Sequence, residues 1–345
     1  MLNKILKSLY FKVFINVIVE HSNTTVYTQI YSKKGEISHE EMTFPSAKFT
    51  QELYEYIANF TKESPFHYVS FLDSSKDQGA LPTCDKNKLS YYQDLTTAEY
   101  KCINKQFSIY TSKTDLYNLE RRYEDIGIDF IFSPFIVLGN FFKDKTASTM
   151  AMYVLIGETA ISVAVFENSD LLFAKHLDLE LDTPTQNLDL EELDEDEKEI
   201  DLELEDESGI ILDDIDVDGD LEDFSDIADL DNLEDIDEFS ETKDLNEELY
   251  EDSVHSVDEI ASEDENSHFN EDYQRFSLIQ NAINNFYTDP KYEGNFLENI
   301  YIADNVGVSN DLRRYLEEEM FLNVYIRKID VASEICDLAK EEIGL

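Results

Sequence analysis

Several residue sets in this chain of 345 residues carry side chains that do chemistry, and their spacing decides what each can do. His39-Glu40-Glu41 opens like the HExxH helix of zinc proteases, where two histidines four residues apart hold the metal. Thr43 stands where the second histidine belongs, and the six histidines have no ligand spacing, so this signature is rejected. Asp214, Asp216, Asp218 and Gly219 repeat the first half of an EF-hand calcium loop. Its twelfth position is Ser225 instead of the bidentate glutamate, and neither flank reads as a helix; the expectation is loose cation binding by a polyanion. The ten glycines are scattered, with neither GxGxxG nor a Walker loop, and no serine sits in a GxSxG turn. Cys84, Cys102 and Cys336 are far apart, odd in number and without CxxC spacing, which predicts three free thiols, mostly buried, in a reducing compartment. No metal site is expected, and the chain is not expected to be an enzyme.

The net charge of -50 is unevenly spread. From Asp178 to Asp272 there are 43 acidic residues against Lys198 and Lys243, which is -41 of the total; the rest of the chain has 34 acidic and 25 basic residues, or -9. Isoleucine and leucine alternate with Asp and Glu in this segment, at a charge density that prevents enough burial to offset chain entropy. It is predicted to be a disordered insert over 178–272, dividing an ordered chain into 1–177 and 273–345. A polyanion repels nucleic acid and anionic lipid, so an electrostatic partner of the insert would be a basic protein.

The ordered parts read as α/β. Phe11–Glu20, Thr24–Ser32 and Glu36–Phe44 are strand-like and form a meander. A helix follows over Ala47–Lys62, with Pro45 and Ser46 at its start, then a strand at His67–Leu72 and a loop over Asp73–Cys84. Lys105–Tyr110 reads as a strand, Thr114–Ile126 as a helix stopped by Gly127, and Phe130–Phe142 as an apolar run. A second meander spans Ala151–Ile156, Ala160–Phe166 and Leu171–His176. A helical face through Phe276, Ile279, Ile283 and Phe286, a strand at Asn299–Ala303, a helix at Asp311–Met320, a strand at Asn323–Arg327 and a helix at Val331–Ile343 complete the chain. Met1–Phe11 lacks a secretory pattern but spaces Leu2, Ile5, Leu6 and Leu9 helically beside Lys4 and Lys7, so it reads as a helix or strand packed on its own domain, with a short amphipathic helix touching a membrane surface as the alternative. No stretch reaches bilayer-spanning length.

Two three-stranded meanders, the turn Ile156-Gly157-Glu158-Thr159, and the strand–loop–helix Ile300 to Gly307 followed by Leu312 resemble the two-lobed actin-like ATPase fold. Within it, Leu155–His176, Phe276–Tyr287 and Ile300–Asp330 most resemble PilM-like proteins, the cytoplasmic actin-like components of type IV pilus machines, and the related cytoplasmic domain of GspL in type II secretion. The resemblance implies a cleft for ATP, bound as its magnesium complex, in which Gly157, Glu158, Thr159 and Gly307 would touch the nucleotide. Four departures fall on that cleft. The first phosphate turn, Glu20–Thr25, has no glycine; Leu155 replaces the family's metal-orienting aspartate; Asp304-Asn305 replaces its Gly-Gly; and the acidic segment stands where a helical subdomain closes over the base. The expectation is therefore a degenerate fold without cofactor, a pseudo-ATPase serving as scaffold. The alternative is an active ATP-binding protein whose nucleotide state regulates assembly.

The same resemblance implies a partner: the short cytoplasmic tail of a bitopic, PilN-like inner-membrane protein, held in a groove of the first lobe. The aromatic-rich stretch His67–Phe142 would form one wall. A pilus, a secretion system or a flagellar motor would be served equally, with the chain cytoplasmic and peripheral at the inner membrane through that partner.

Overall fold

In the computed structural model, residues 10–179, 264–292 and 294–345 are described. The EF-hand-like run at 214–225, the N-terminal segment 1–9 and most of the acidic segment lie outside them. All described residues belong to one compact unit, which takes in chain on both sides of the acidic segment.

The first meander forms as its alternation demands. Strands β1 (Lys12–Val19), β2 (Thr24–Ser32) and β3 (Gly35–Phe44) pair antiparallel. Val13, Phe14, Ile15 and Val17 of β1 are fully buried, so both faces of this strand are covered, as its unbroken apolar run requires. Helix α1 (Gln51–Glu63) follows, then β4 (His67–Leu72), which returns parallel to β1. The next elements are β5 (Gly79–Leu81), α2 (Lys86–Tyr92), β6 (Ala98–Ile103), β7 (Phe107–Ser112), α3 (Lys113–Arg122), β8 (Phe130–Phe132) and α4 (Pro134–Phe141). The second half repeats the plan with β9 (Ala151–Ile156), β10 (Ala160–Glu167), β11 (Asp170–Asp178), α5 (Asp264–Thr288), β12 (Asn299–Asp304), α6 (Asn310–Glu318), β13 (Asn323–Lys328) and α7 (Val331–Glu342).

The sheet orders are β3-β2-β1-β4-β8 and β11-β10-β9-β12-β13. In each, an antiparallel meander is extended by parallel strands after a helical crossover, which is the two-lobed actin-like plan expected from the sequence. One core lies around α1 in the first lobe, with Leu53, Ile57 and Phe71, and one around α5 and α6 in the second, with Ile279, Phe286 and Leu312. A third joins the lobes: Phe14, Phe132 and Phe135 meet Tyr153, Ala303 and Ile335. Burying such side chains stabilises by about 1.5–3 kcal/mol each, so this shared core ties the lobes more firmly than exposed ion pairs would.

Several local readings are corrected. Helix α1 is capped by Thr50, whose hydroxyl accepts from the Leu53 amide at 3.3 Å, and not by Ser46. Ser46 is occupied in a preceding turn, its hydroxyl accepting from the Lys48 amide and its carbonyl from Thr24. Lys105 lies in the β6–β7 turn, with Asn104 and Lys105 both at positive φ, so the strand starts at Phe107. Phe130–Phe142 divides at Ser133-Pro134, where Ser133 caps a helix and Pro134 occupies its first turn. The expected loop Asp73–Cys84 contains β5, part of a small third sheet β5-β7-β6. Cys84 and Cys102 are not free thiols: that sheet brings them together in a disulfide, and only Cys336 is a buried thiol. The edges of the acidic segment are also ordered, since β11 runs through Asp178 and α5 begins at Asp264.

Candidate functional site

A cavity of about 210 Å³ opens between the lobes. It lies at the carboxyl ends of β1, β4, β9 and β12, where open α/β sheets present their ligand sites. Glu20 and His21 come from the β1–β2 turn, Asp73 and Lys76 from the chain after β4, and Gly157, Glu158 and Thr159 from the β9–β10 turn. Ser162, His176, Asp178 and Asn305 complete the polar lining. A second cavity of about 440 Å³ is lined by Glu158, Leu179, Glu271, Gln274, Arg275, Val306 and Gly307. The four residues that the resemblance assigned to nucleotide thus line two adjoining cavities, with Glu158 shared between them.

The turn at Gly157 is closed on itself. The Gly157 amide donates to the Ala160 carbonyl at 3.0 Å, and the Thr159 carbonyl accepts from the Leu179 amide at 2.9 Å. The loop after β12 is filled by its own carboxylate. Asp304, 4% exposed, accepts from the amides of Val306, Gly307 and Val308 at 3.0, 2.8 and 3.1 Å. Gly307 supplies the positive φ that this loop needs, at +83°. Successive amides converging on one point make an anion-binding nest, and here the anion is part of the chain. One step further on, the Ser309 amide at the start of α6 donates to Asp272 at 2.9 Å. Asn305 joins β9 to the start of α7: its amide donates to the Ile156 carbonyl, and its side-chain oxygen accepts from the Val331 amide. The Asp304-Asn305 pair is therefore part of the loop's own framework.

The cleft is acidic. Glu20, Asp73, Glu158 and Asp178 line it, and Asp178, almost wholly buried, pairs with Lys76 at 2.9 Å across the lobes. Burial, then a hydrogen bond to Glu158 and that residue's charge, push the Glu20 carboxyl up to about 7, against a weaker opposing bond from Asn23. Glu20 thus keeps its proton toward neutral pH, facing Glu158 across the cleft. Burial also holds the Asp73 carboxyl above its ordinary value, despite bonds from Thr111 and the Ser75 amide. In the second cavity the Arg275 guanidinium is committed to Asp272 at 2.8 Å and Glu271 at 3.0 Å. Ser162 meets His176 Nδ1 at 2.9 Å. Among the described residues, no group of three or more His, Cys, Asp or Glu is placed to hold a metal ion.

The proton on Glu20 has a measurable consequence. The native state holds it between about pH 4.5 and 7, where an unfolded glutamate has released it. Stability contributed by this contact is therefore present below the unfolded value and declines as pH rises to about 7. Glu20→Gln is expected to match the parent in thermal midpoint near pH 5 and to exceed it near pH 8. Parallel midpoint-against-pH curves for the two proteins would refute the carboxyl contact.

The lobes are also linked away from the cavity. Asn16 Nδ2 donates to the Ala332 carbonyl at 3.2 Å in a buried setting, Asn140 donates to Glu334 at 2.7 Å, and Arg327 holds Asp144 bidentately. Lys291 donates to the Tyr92 carbonyl, tying the third-sheet region to the second lobe. Lys76, Asp178, Asp272 and Arg275 escaped the sequence reading because both aspartates were assigned to the disordered segment. The spacing of Glu271 and Asp272 to Arg275, four and three residues, is the helical signal that places them.

Solved structures similar to this chain include the following three. One is a protein of Bacteroides thetaiotaomicron with an actin-like ATPase fold and unknown function: identity is 11% and TM-score 0.47, over 94% of this chain and 96% of that one. Another belongs to the PilM–PilN type IV pilus biogenesis complex, at 9% identity and TM-score 0.47, covering 94% and 89%. The third is MreB 5 of Spiroplasma citri bound to AMPPNP, at 9% identity and TM-score 0.43, covering 96% and 97%. Strand order and register, and not these distant likenesses, establish the fold. No curated protein matches the sequence. Residues 10–139 match a family model described as a domain of unknown function, DUF8569. A second model covers residues 152–344, more than half of the chain, which therefore belongs to the family described as a domain of unknown function, DUF8341.

Proposed function

We propose that this chain is a non-catalytic scaffold, a pseudo-ATPase that receives the cytoplasmic tail of a bitopic, PilN-like inner-membrane protein in an envelope machine. The observation that carries the first half is Asp304, which occupies with its own carboxylate the amide nest of the loop after β12. Magnitudes support it. A like charge about 4 Å away costs about 4 kcal/mol at a partly screened site. Millimolar affinity is worth only about 4 kcal/mol. One resident carboxylate at that distance is enough to offset weak nucleotide binding.

Linkages between the lobes support a rigid body that needs no nucleotide to join them. The resemblance of Leu155–His176 and Ile300–Asp330 to PilM-like proteins supports the class of partner. Exposed Tyr91 and Tyr117, at 58% and 61%, stand on the aromatic-rich wall that would meet a tail. Among the described residues no helix is long and apolar enough to cross a membrane, so on this reading the partner supplies the attachment.

The test is affinity isolation of the tagged full chain from gently solubilised membranes, followed by direct binding of a synthetic peptide copying the recovered tail. A single-span protein with a short cytoplasmic tail whose peptide binds one-to-one is the expected result. Reproducible recovery of soluble proteins alone would overturn the partner assignment.

A further inference from the structure

The outer edge of the second sheet is β13, and among the described residues it pairs only with β12. The Asn323 amide donates to the Glu298 carbonyl at 2.8 Å and the Ile329 amide to the Asp304 carbonyl at 3.0 Å. Odd-numbered residues therefore turn their main-chain groups toward β12, and Val324, Ile326 and Lys328 turn theirs outward. The Val324 carbonyl agrees with this, since it accepts from the exposed Arg313 side chain at 3.1 Å.

Three features set this edge apart from one merely left uncovered. Phe321, just before the strand, is 81% exposed and sits at φ +55°, a conformation uncommon for a bulky side chain. The fold holds a large apolar ring in water at a strained position. Next, a ladder of stacked tyrosines crosses the sheet: Tyr153 on Tyr301 at 5.3 Å, then Tyr301 on Tyr325 at 4.9 Å. It ends at the edge with Tyr325 still 47% exposed. Last, the edge is electrically polar, with exposed Glu318 and Glu319 before it and exposed Lys328 at its end.

We propose that β13 is the surface through which two copies of this chain pair, antiparallel, about a twofold axis at Tyr325. An isologous contact must be self-complementary, and this strand is: reversal brings the basic end of each copy alongside the acidic start of the other. Val324 faces Ile326 of the partner copy across the axis, so outward main-chain groups meet outward main-chain groups. The two Tyr325 residues form the non-hydrogen-bonded pair, where side chains approach most closely, and the ladder runs on through both copies. The Val324 carbonyl exchanges the Arg313 donor for the incoming Ile326 amide of the other copy. The two five-stranded sheets become one, and a dimeric scaffold presents its partner site twice.

The experiment is sedimentation equilibrium on the full chain at about 150 mM salt, where screening over about 8 Å suppresses repulsion between the acidic segments. A reversible monomer–dimer equilibrium is expected. Phe321→Gly, which suits the positive φ and leaves the fold intact, is expected to raise the dimer dissociation constant at least about tenfold. Lys328→Glu should do the same, and adding Glu319→Lys to it should restore dimerisation. A monomer persisting to about 0.1 mM would overturn the proposal. So would a dimer indifferent to Phe321→Gly and Lys328→Glu, or a charge-reversed pair that fails to recover.

Discussion

Asp272→Ala is expected to destabilise the protein by about 3–5 kcal/mol, lowering its thermal midpoint by roughly 10 °C. The reason is the company Asp272 keeps. It is 1% exposed, one oxygen accepts from Arg275 at 2.8 Å, and the other accepts from the Ser309 amide at 2.9 Å. Removing it leaves a guanidinium whose side chain is only 9% exposed with Glu271, itself 53% exposed, as its one remaining ion-pair partner, and leaves the amide at the start of α6 without its acceptor. Asp272→Asn keeps an acceptor for Ser309 and loses the charge, so it should fall between the parent and alanine. Asp272→Ala with Arg275→Ala should recover part of the loss, because the buried charge that Glu271 alone compensates less well is then gone. Urea unfolding at neutral pH measures all three. If Asp272 were simply the last residue of a solvated acidic run, alanine would change stability by less than about 0.5 kcal/mol.

Asp304→Ala should have an effect of similar size, about 4 kcal/mol, for a different reason. Three amides lose a charged acceptor together, and charge-assisted hydrogen bonds contribute about 1.5–3 kcal/mol each without adding fully. Asp304→Asn, which keeps one carbonyl oxygen, should cost about half as much. The alanine variant has a further signature. Its freed nest points at the space the carboxylate vacates, so sulfate should stabilise it more than it stabilises the parent, beyond the general effect of that salt on any fold. Thermal midpoints against sulfate for both proteins, with chloride as reference, make the comparison. Equal sulfate dependence would mean that the amides are satisfied without Asp304.

These two aspartates show where the sequence could be read and where it could not. The meanders were legible because β1, β2, β9 and β10 are runs of β-branched and aromatic residues broken by short polar turns, and the elements from Asn299 onward follow helix and strand periods closely. The departures at Glu20–Thr25 and Asp304-Asn305 were legible as misfits to a nucleotide site, the first at its phosphate turn and the second at its adenosine loop. What Asp304 does instead was not, because an aspartate that caps its own loop has the same local sequence as one exposed on it. The third sheet was missed for a related reason. Its three-residue β5 is held by pairing with β7, nearly thirty residues away along the chain, and composition carries no trace of that contact. The Cys84–Cys102 bridge depends on the same non-local pairing. Asp178 and Asp272 were absorbed into the acidic segment because a charge count weighs every carboxylate alike, whereas burial beside Lys76 and Arg275 sets these two apart.

A cleft whose anion positions are occupied by the chain's own carboxylates should refuse nucleotide. Titration of the purified full-length protein with magnesium and ATP, by calorimetry and by equilibrium dialysis to about 1 mM nucleotide, is the decisive measurement. No stoichiometric binding is expected by either method. Saturable one-to-one binding that weakens on substitution at Glu158 or Gly307 would contradict the pseudo-ATPase reading and restore this cleft as a nucleotide site.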